Sequence, residues 1–407
     1  MKILLINKFF FRKGGADVYC LDLGKMFVSQ GHEVAYFSMH HPENEKTKWN
    51  KYFVSEVDLR KRQGIAADVK TAGRFIYNFE ARKKLVKLLK EFNPDVIHLN
   101  NIYHQLSTSV LDAIAGHPAV KIMTLHDYKL ICPNYKLFTE GRVCERCYRH
   151  KYYQAVIHRC LQDSYAPSAL AAIEMYFAKT RQIYENVVDC FVSPSRFLAQ
   201  KIKDWNVKFK RIELVANFVD LDDFKPNYEP GDHYLYFGRL SEEKGLADLF
   251  EVFSRHDKWR LDIVGTGPLE MSLRKTALAQ GLANIRVFGY KEPGELRSII
   301  AKSRAVIVPT LMHDNYPYSV IEAQAMGKAV IASRMGGIPE MVEPGVSGYL
   351  YEPRNPDDLA ARLEEAEKNI DKLSEFGKAG RARAEKENSA SGHYERLMEI
   401  YQSVKKK

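Results

Sequence analysis

Two carboxylates in this sequence are spaced for chemistry: Asp314 and Glu322, eight positions apart within Pro309 to Gly327, PTLMHDNYPYSVIEAQAMG. Just before them, Ala305-Val306-Ile307-Val308 reads as a buried strand that stops at Pro309. Helical spacing resumes at Ser319, with Val320, Ala323 and Met326 on one face. A strand end feeding a helix N-terminus is where open α/β sheets take phosphorylated ligands, because the first amides and the helix dipole favour negative charge. The amides that follow Pro317, those of Tyr318 and Ser319, suit a diphosphate. Two carboxylates beside a phosphate site need partners of their own, and sugar or ribose hydroxyls supply them.

Other candidates lie upstream. Gly238 to Gly245, GRLSEEKG, follows the apolar run Tyr234 to Phe237. Its Arg239 can grip a phosphate bidentately and its Lys244 offers a compact point charge, although loop cations are often merely solvated. His126 stands at the carboxyl end of the strand Val120 to Leu125, placed to hydrogen-bond or polarise a sugar hydroxyl. A histidine satisfied by backbone groups is the plainer reading, and Asp127 beside it reads as its orienter or as a cap for the next segment. Gly14 and Gly15 open a helix after the strand Lys2 to Asn7, where amides can reach a phosphate or an acceptor. Four of the six cysteines, Cys132, Cys144, Cys147 and Cys160, are spaced C-x11-C-x2-C-x12-C. That pattern fits a structural zinc with all four positions filled by protein, and reduced thiols without a ligand are the alternative.

These motifs together resemble retaining glycosyltransferase family 4. Asp314 and Glu322, followed by EAQAMG, are similar to its Glu-x7-Glu motif, with Asp in the first place and Asn-Tyr-Pro where Gly-Phe-Gly is common. The resemblance extends to GRLSEEKG, to TLHDY and to the opening GGADVYCLDLGKMFVSQGHEV. It implies that Asp314 contacts the transferred sugar, Glu322 the ribose, Arg239 and Lys244 the diphosphate, and His126 the donor sugar. It also implies a nucleotide diphosphate sugar as donor, front-face displacement with retention, and Val287 to Tyr290 bordering the base. It further implies that charge on the leaving group falls to Arg239, Lys244 and helix amides, with no catalytic metal.

These residues require an α/β frame. A chain of 407 residues suggests two domains. The expected architecture is GT-B: two Rossmann-like doubly wound domains, 1–218 on the acceptor side and 219–387 for the nucleotide sugar. The first domain carries a cysteine-containing insertion at about 130–162, and a C-terminal helix, 388–407, returns to it. Residues 40–73 read as irregular, followed by an amphipathic helix from Phe75 to Phe92 rich in lysine. Residues 1–220 hold 34 basic against 22 acidic side chains and the rest 27 against 29, so the excess charge lies in the first half. A basic half suggests an anionic membrane surface and a glycan or lipid-linked acceptor. No apolar run approaches the ~20 residues of a membrane span, and Asn7 and Lys8 break the first apolar run too early for a signal peptide. The expected location is cytoplasmic, peripheral on the inner face of the cell membrane. Two rivals remain: a sugar-nucleotide epimerase of the same architecture, and a non-enzymatic zinc and nucleic-acid binding module. The second lacks any aromatic-basic motif of an RNA fold, and no nucleic acid is expected.

Overall fold

Runs of four or five apolar residues can be buried on both faces, which a parallel sheet between two helical layers demands. The first such run, Lys2–Ile6, forms β1, and β2 (Glu33–Phe37), β3 (Val96–Leu99) and β4 (Val120–Thr124) follow it. A short hairpin of β5 (Phe138–Thr139) and β6 (Arg142–Val143) precedes β7 (Cys190–Ser193) and β8 (Ile212–Leu214). The computed structural model describes residues 1–57 and 65–405, with backbone alone for 65–70. It pairs six strands in the order β2-β1-β3-β4-β7-β8, all parallel. The helices of this unit are α1 (Gly15–Ser29), α2 (Ile65–Ile76), α3 (Phe79–Phe92), α4 (Ser109–Ile114), α5 (Gln154–Ile157), α6 (Tyr165–Arg181), α7 (Ile183–Val187) and α8 (Arg196–Asp204).

Two expectations change here. Residues 40–73 are not irregular throughout, because α2 begins at Ile65. The lysine-rich helix starts at Phe79 rather than Phe75, because the Asn78 side chain accepts the Ala81 amide and caps it. Its Leu85, Leu88, Leu89 and Phe92 are buried in the core, while Phe79, Arg82, Lys83, Lys87 and Lys90 stay exposed. The basic triplet Arg60 to Arg62 lies outside the described residues.

The second unit repeats the plan with β9 (Tyr234–Phe237), β10 (Leu261–Val264), β11 (Ile285–Gly289), β12 (Ala305–Val308), β13 (Val330–Ser333) and β14 (Gly348–Tyr351). Their order is β11-β10-β9-β12-β13-β14, again parallel. Alternate residues feed two cores: Tyr234, Tyr236, Ile263 and Ile307 on one face, Leu235, Phe237, Val306 and Val308 on the other. Helices α9 (Leu246–Arg255), α10 (Glu270–Ala279), α11 (Pro293–Lys302), α12 (Tyr318–Ala325), α13 (Pro356–Lys368) and α14 (Ile370–Glu387) cover it.

The compact units are Met1–Thr139 with Cys144–Val215 and the chain from Tyr394 onward, and Ala216–His393 with Glu140–Val143. The last helix, α15 (Ala390–Lys405), therefore passes from the second unit into the first. There Leu397, Ile400 and Tyr401 are buried, and the Tyr401 hydroxyl lies 2.5 Å from His98 Nδ1. In each sheet the strand order reverses beside the first strand, between β1 and β3 and between β9 and β12. The carboxyl ends at such a switch point frame a crevice. Among the described residues no helix is long and apolar enough to cross a membrane.

Candidate functional site

In the second unit, two loops meet at the switch point. The loop after β9 closes on Gly245, whose φ is +71° and whose added Cβ would stand 1.8 Å from Pro309 O. The Leu311 amide donates to Glu243 O at 2.8 Å, so this loop and the one after β12 are stitched together. Asp314 is clasped through its backbone: the Gly337 amide donates to its carbonyl at 2.7 Å, and a Cβ on Gly336 (φ +61°) would stand 2.2 Å from that oxygen. Held so, Asp314 receives a hydrogen bond from Lys244 Nζ onto Oδ2 at 2.5 Å, in a pair that is only partly exposed. Arg239, on the same loop as Lys244, is exposed and forms no side-chain hydrogen bond or ion pair among the described residues. Pro317 precedes α12 without a side-chain cap, and no acid stands in the first turn, where the amides of Tyr318 and Ser319 lie. Glu322 is half-buried further along α12. Arg239, Lys244, Asp314, Tyr318, Ser319 and Glu322 thus belong to two loops and one helix start at the carboxyl ends of β9 and β12.

Gly14, Gly15 and His126 belong to the first unit. His126 Nε2 donates to Asn100 Oδ1 at 2.9 Å, and burial, aided by the nearby Lys8 charge, pushes its pKa down to about 3, so the ring is neutral. The start of α1 is already supplied with negative charge. Asp17, buried, accepts from Asn7 Nδ2 at 2.8 Å and is hydrogen-bonded by the Gly14 backbone. Asp127 caps the next segment, its Oδ1 accepting the Lys129 amide at 3.0 Å, and burial pushes its carboxyl up to about 6 against the pull of Lys8. Spacing gave no hint of a buried ion network beside it. Lys129 Nζ donates to Glu174 Oε2 at 2.7 Å, and His104 Nδ1 lies 3.1 Å from that oxygen. Burial alone would raise Glu174, but Lys129 and His104 outweigh it and hold the carboxyl down at about 2. Lys8 lies over the Tyr103 ring, 4.3 Å from its centroid.

The four clustered cysteines line one small cavity with Pro133 and Asn134. Among the described residues, however, no three His, Cys, Asp or Glu side chains are gathered so as to hold a metal ion, and the zinc expectation is not met. Cys132 Sγ instead donates to Asn134 Oδ1 at 2.9 Å, and burial pushes its thiol up to about 12. Burial also raises Cys147. Cys20 and Cys190 are buried in the core.

Residues 13–223 match the sequence profile described as Glycosyltransferase Family 4, and residues 220–383 the one described as Glycosyl transferases group 1. An uncharacterized 42.6 kDa protein in the cps region of Klebsiella pneumoniae is 24% identical over 397 residues, covering 91% of this chain and 96% of its own. The amylovoran biosynthesis glycosyltransferase AmsK of Erwinia amylovora is 30% identical over 184 residues, 42% of this chain and 44% of its own. Among solved structures, sucrose-phosphate synthase from Thermosynechococcus elongatus superposes with a TM-score of 0.75 at 17% identity, over 99% of this chain and 98% of that one. Anabaena Alr3699/HepE in complex with UDP-glucose gives 0.70 at 16% identity, over 99% and 100%. These structural likenesses are likenesses of fold.

Proposed function

This chain belongs to glycosyltransferase family 4 and has the two-domain fold of GT-B enzymes; from that premise we propose a retaining transfer of a sugar from a nucleotide diphosphate sugar to a glycan or lipid-linked acceptor hydroxyl. A glycosyltransferase of polysaccharide biosynthesis is the frame within which the finer roles are assigned. The observation that carries them is the meeting of the Arg239–Lys244 loop with the clasped Asp314 at the β9/β12 switch point. Arg239, Lys244 and the amides of Tyr318 and Ser319 hold the diphosphate, and charge developing on it as the sugar departs is where they act most. Asp314 meets the transferred sugar, and Glu322 the ribose hydroxyls. His126, neutral, offers the donor sugar a hydrogen bond. A uridine nucleotide is the first donor to try, since HepE is described with UDP-glucose.

The exposed cations of α3 support a further part of the reading, electrostatic contact with an anionic membrane surface. Purified protein is to be offered UDP-, GDP-, dTDP- and ADP-sugars with and without glycan acceptors, scoring nucleotide release and the anomeric configuration of the product. Release with one donor, and an anomeric configuration in the product that matches the donor, is the expected result. An isomerised sugar nucleotide formed without acceptor, or no release from any donor, overturns the reading.

A further inference from the structure

We propose that Asp127 and Tyr103 in the first unit together bind one uncharged hydroxyl of the acceptor. This rests on the transferase reading above and adds to it the chemical class of the acceptor's reacting end. A small cavity at the carboxyl ends of β3 and β4 is lined by Asn101, Tyr103, His126, Asp127, Lys129 and Tyr184. Two polar groups in it are uncommitted among the described residues. The Tyr103 hydroxyl, on a side chain that is only 2% exposed, has no hydrogen-bond partner. Asp127 accepts the Lys129 amide through Oδ1 and makes no further hydrogen bond or ion pair. A buried O–H without a partner is costly, and few native sites tolerate one without a reason.

A hydroxyl suits both groups at once. It donates its proton to the Asp127 carboxylate and accepts from the Tyr103 O–H. An ionised phosphate has only acceptors to offer Asp127, and it would bring its charge into the wrong company. Asp127 and Lys129 line the cavity and are coupled electrostatically to Lys8, Asp17 and Glu174, while His104 is neutral because burial pulls its pKa down to about 4. Lys13 acts on both Lys8 and Asp17, so three carboxylates stand against three ammonium groups and the cluster has no net positive charge to offer an anion. The acceptor therefore presents a neutral sugar hydroxyl here, and any phosphate it carries lies elsewhere.

Saturation-transfer NMR titrations of the full chain with methyl α-D-glucopyranoside and with glucose 6-phosphate test this. The neutral probe is expected to bind more tightly. Asp127→Asn, which keeps an oxygen for the Lys129 amide, should weaken it about tenfold, and Tyr103→Phe about threefold. Tyr103→Phe removes nothing but the partnerless hydroxyl, so a purely structural role for Tyr103 leaves probe binding untouched. Nucleoside diphosphate affinity, measured on the same samples, should stay at the wild-type value in both variants. The proposal fails if the neutral probe does not bind, if glucose 6-phosphate binds as tightly, or if both variants retain wild-type affinity. Sugar-nucleotide turnover is scored separately: turnover without probe binding sinks this inference alone and leaves the transferase reading standing.

Discussion

Each unit ends a strand at its switch point and starts a helix beyond it, but what faces the two helix starts differs. At α1 the buried Asp17 carboxylate, fixed by Asn7 and the Gly14 backbone, already supplies the negative charge the amides favour. At α12 the first turn holds no acid, and Lys244 of the loop stitched to β12 shares itself with Asp314. Two cations near the switch point of the first unit are committed inward, Lys129 to a Glu174 that is 1% exposed and Lys8 to the Tyr103 ring. One architecture thus carries two electrostatic designs. Beside its switch point the second unit keeps Arg239 without a side-chain partner among the described residues, and the first pairs Lys129 with Glu174.

Removing a cation should therefore cost different things in the two units. Lys129→Met leaves Glu174 buried and uncompensated, and is expected to lower unfolding free energy by about 3–5 kcal/mol, read by denaturant titration. A loss under 1 kcal/mol would show that the first unit does not depend on its buried ion network. Arg239→Ala removes an exposed side chain and should leave the thermal midpoint in place while turnover falls by ~10²–10³. Half-retained activity would move the diphosphate site away from this loop. Glu322→Gln is expected to weaken nucleoside diphosphate binding about tenfold by calorimetry, the loss of a charged hydrogen bond to ribose.

The smallest effect sharpens the contrast through pH. The Asp127 carboxyl is raised from 3.8 to about 6, so the folded chain keeps a proton that the unfolded chain has already lost between those values. Stability therefore declines as pH rises through that window, and the penalty is complete above pH 6. Asp127→Asn should stabilise the protein at pH 7 by about 1–2 kcal/mol, discounted for partial exposure, and the gain should vanish near pH 4. A variant that is less stable at both values would make Asp127 a structural residue.

Much of the fold was legible in sequence because parallel strands buried on both faces are written as unbroken apolar runs, as in Ala305 to Val308 or Ile3 to Ile6. The GRLSEEKG and PTLMHDNYPYSVIEAQAMG motifs were legible because a loop and a helix start are local. The Lys244–Asp314 pair was not, since 70 residues separate its members and only the stitching at Gly245 brings them together. Lys129 and Glu174 escaped for the same reason, 45 residues apart with no periodic signal. Asn78 hid a helix start within a continuous basic pattern. Cysteine spacing showed proximity along the chain and nothing of how Asn134 engages Cys132.

The Lys244–Asp314 pair bears on how a catalytic cycle would end. On the roles proposed above, an intact sugar nucleotide would give Lys244 the diphosphate and Asp314 the sugar hydroxyls, so neither side chain would miss its partner. Once the sugar has moved to the acceptor, Asp314 loses those hydroxyls and reclaims Lys244, loosening one of the grips on the spent nucleotide. On those roles the pair would be a spring that the donor opens and the product allows to close. Product inhibition then becomes a property of Asp314: Asp314→Asn should lower turnover and, by freeing Lys244, make the nucleoside diphosphate a tighter inhibitor than it is of the wild-type chain. An unchanged inhibition constant would mean that the pair dissolves too easily to govern release.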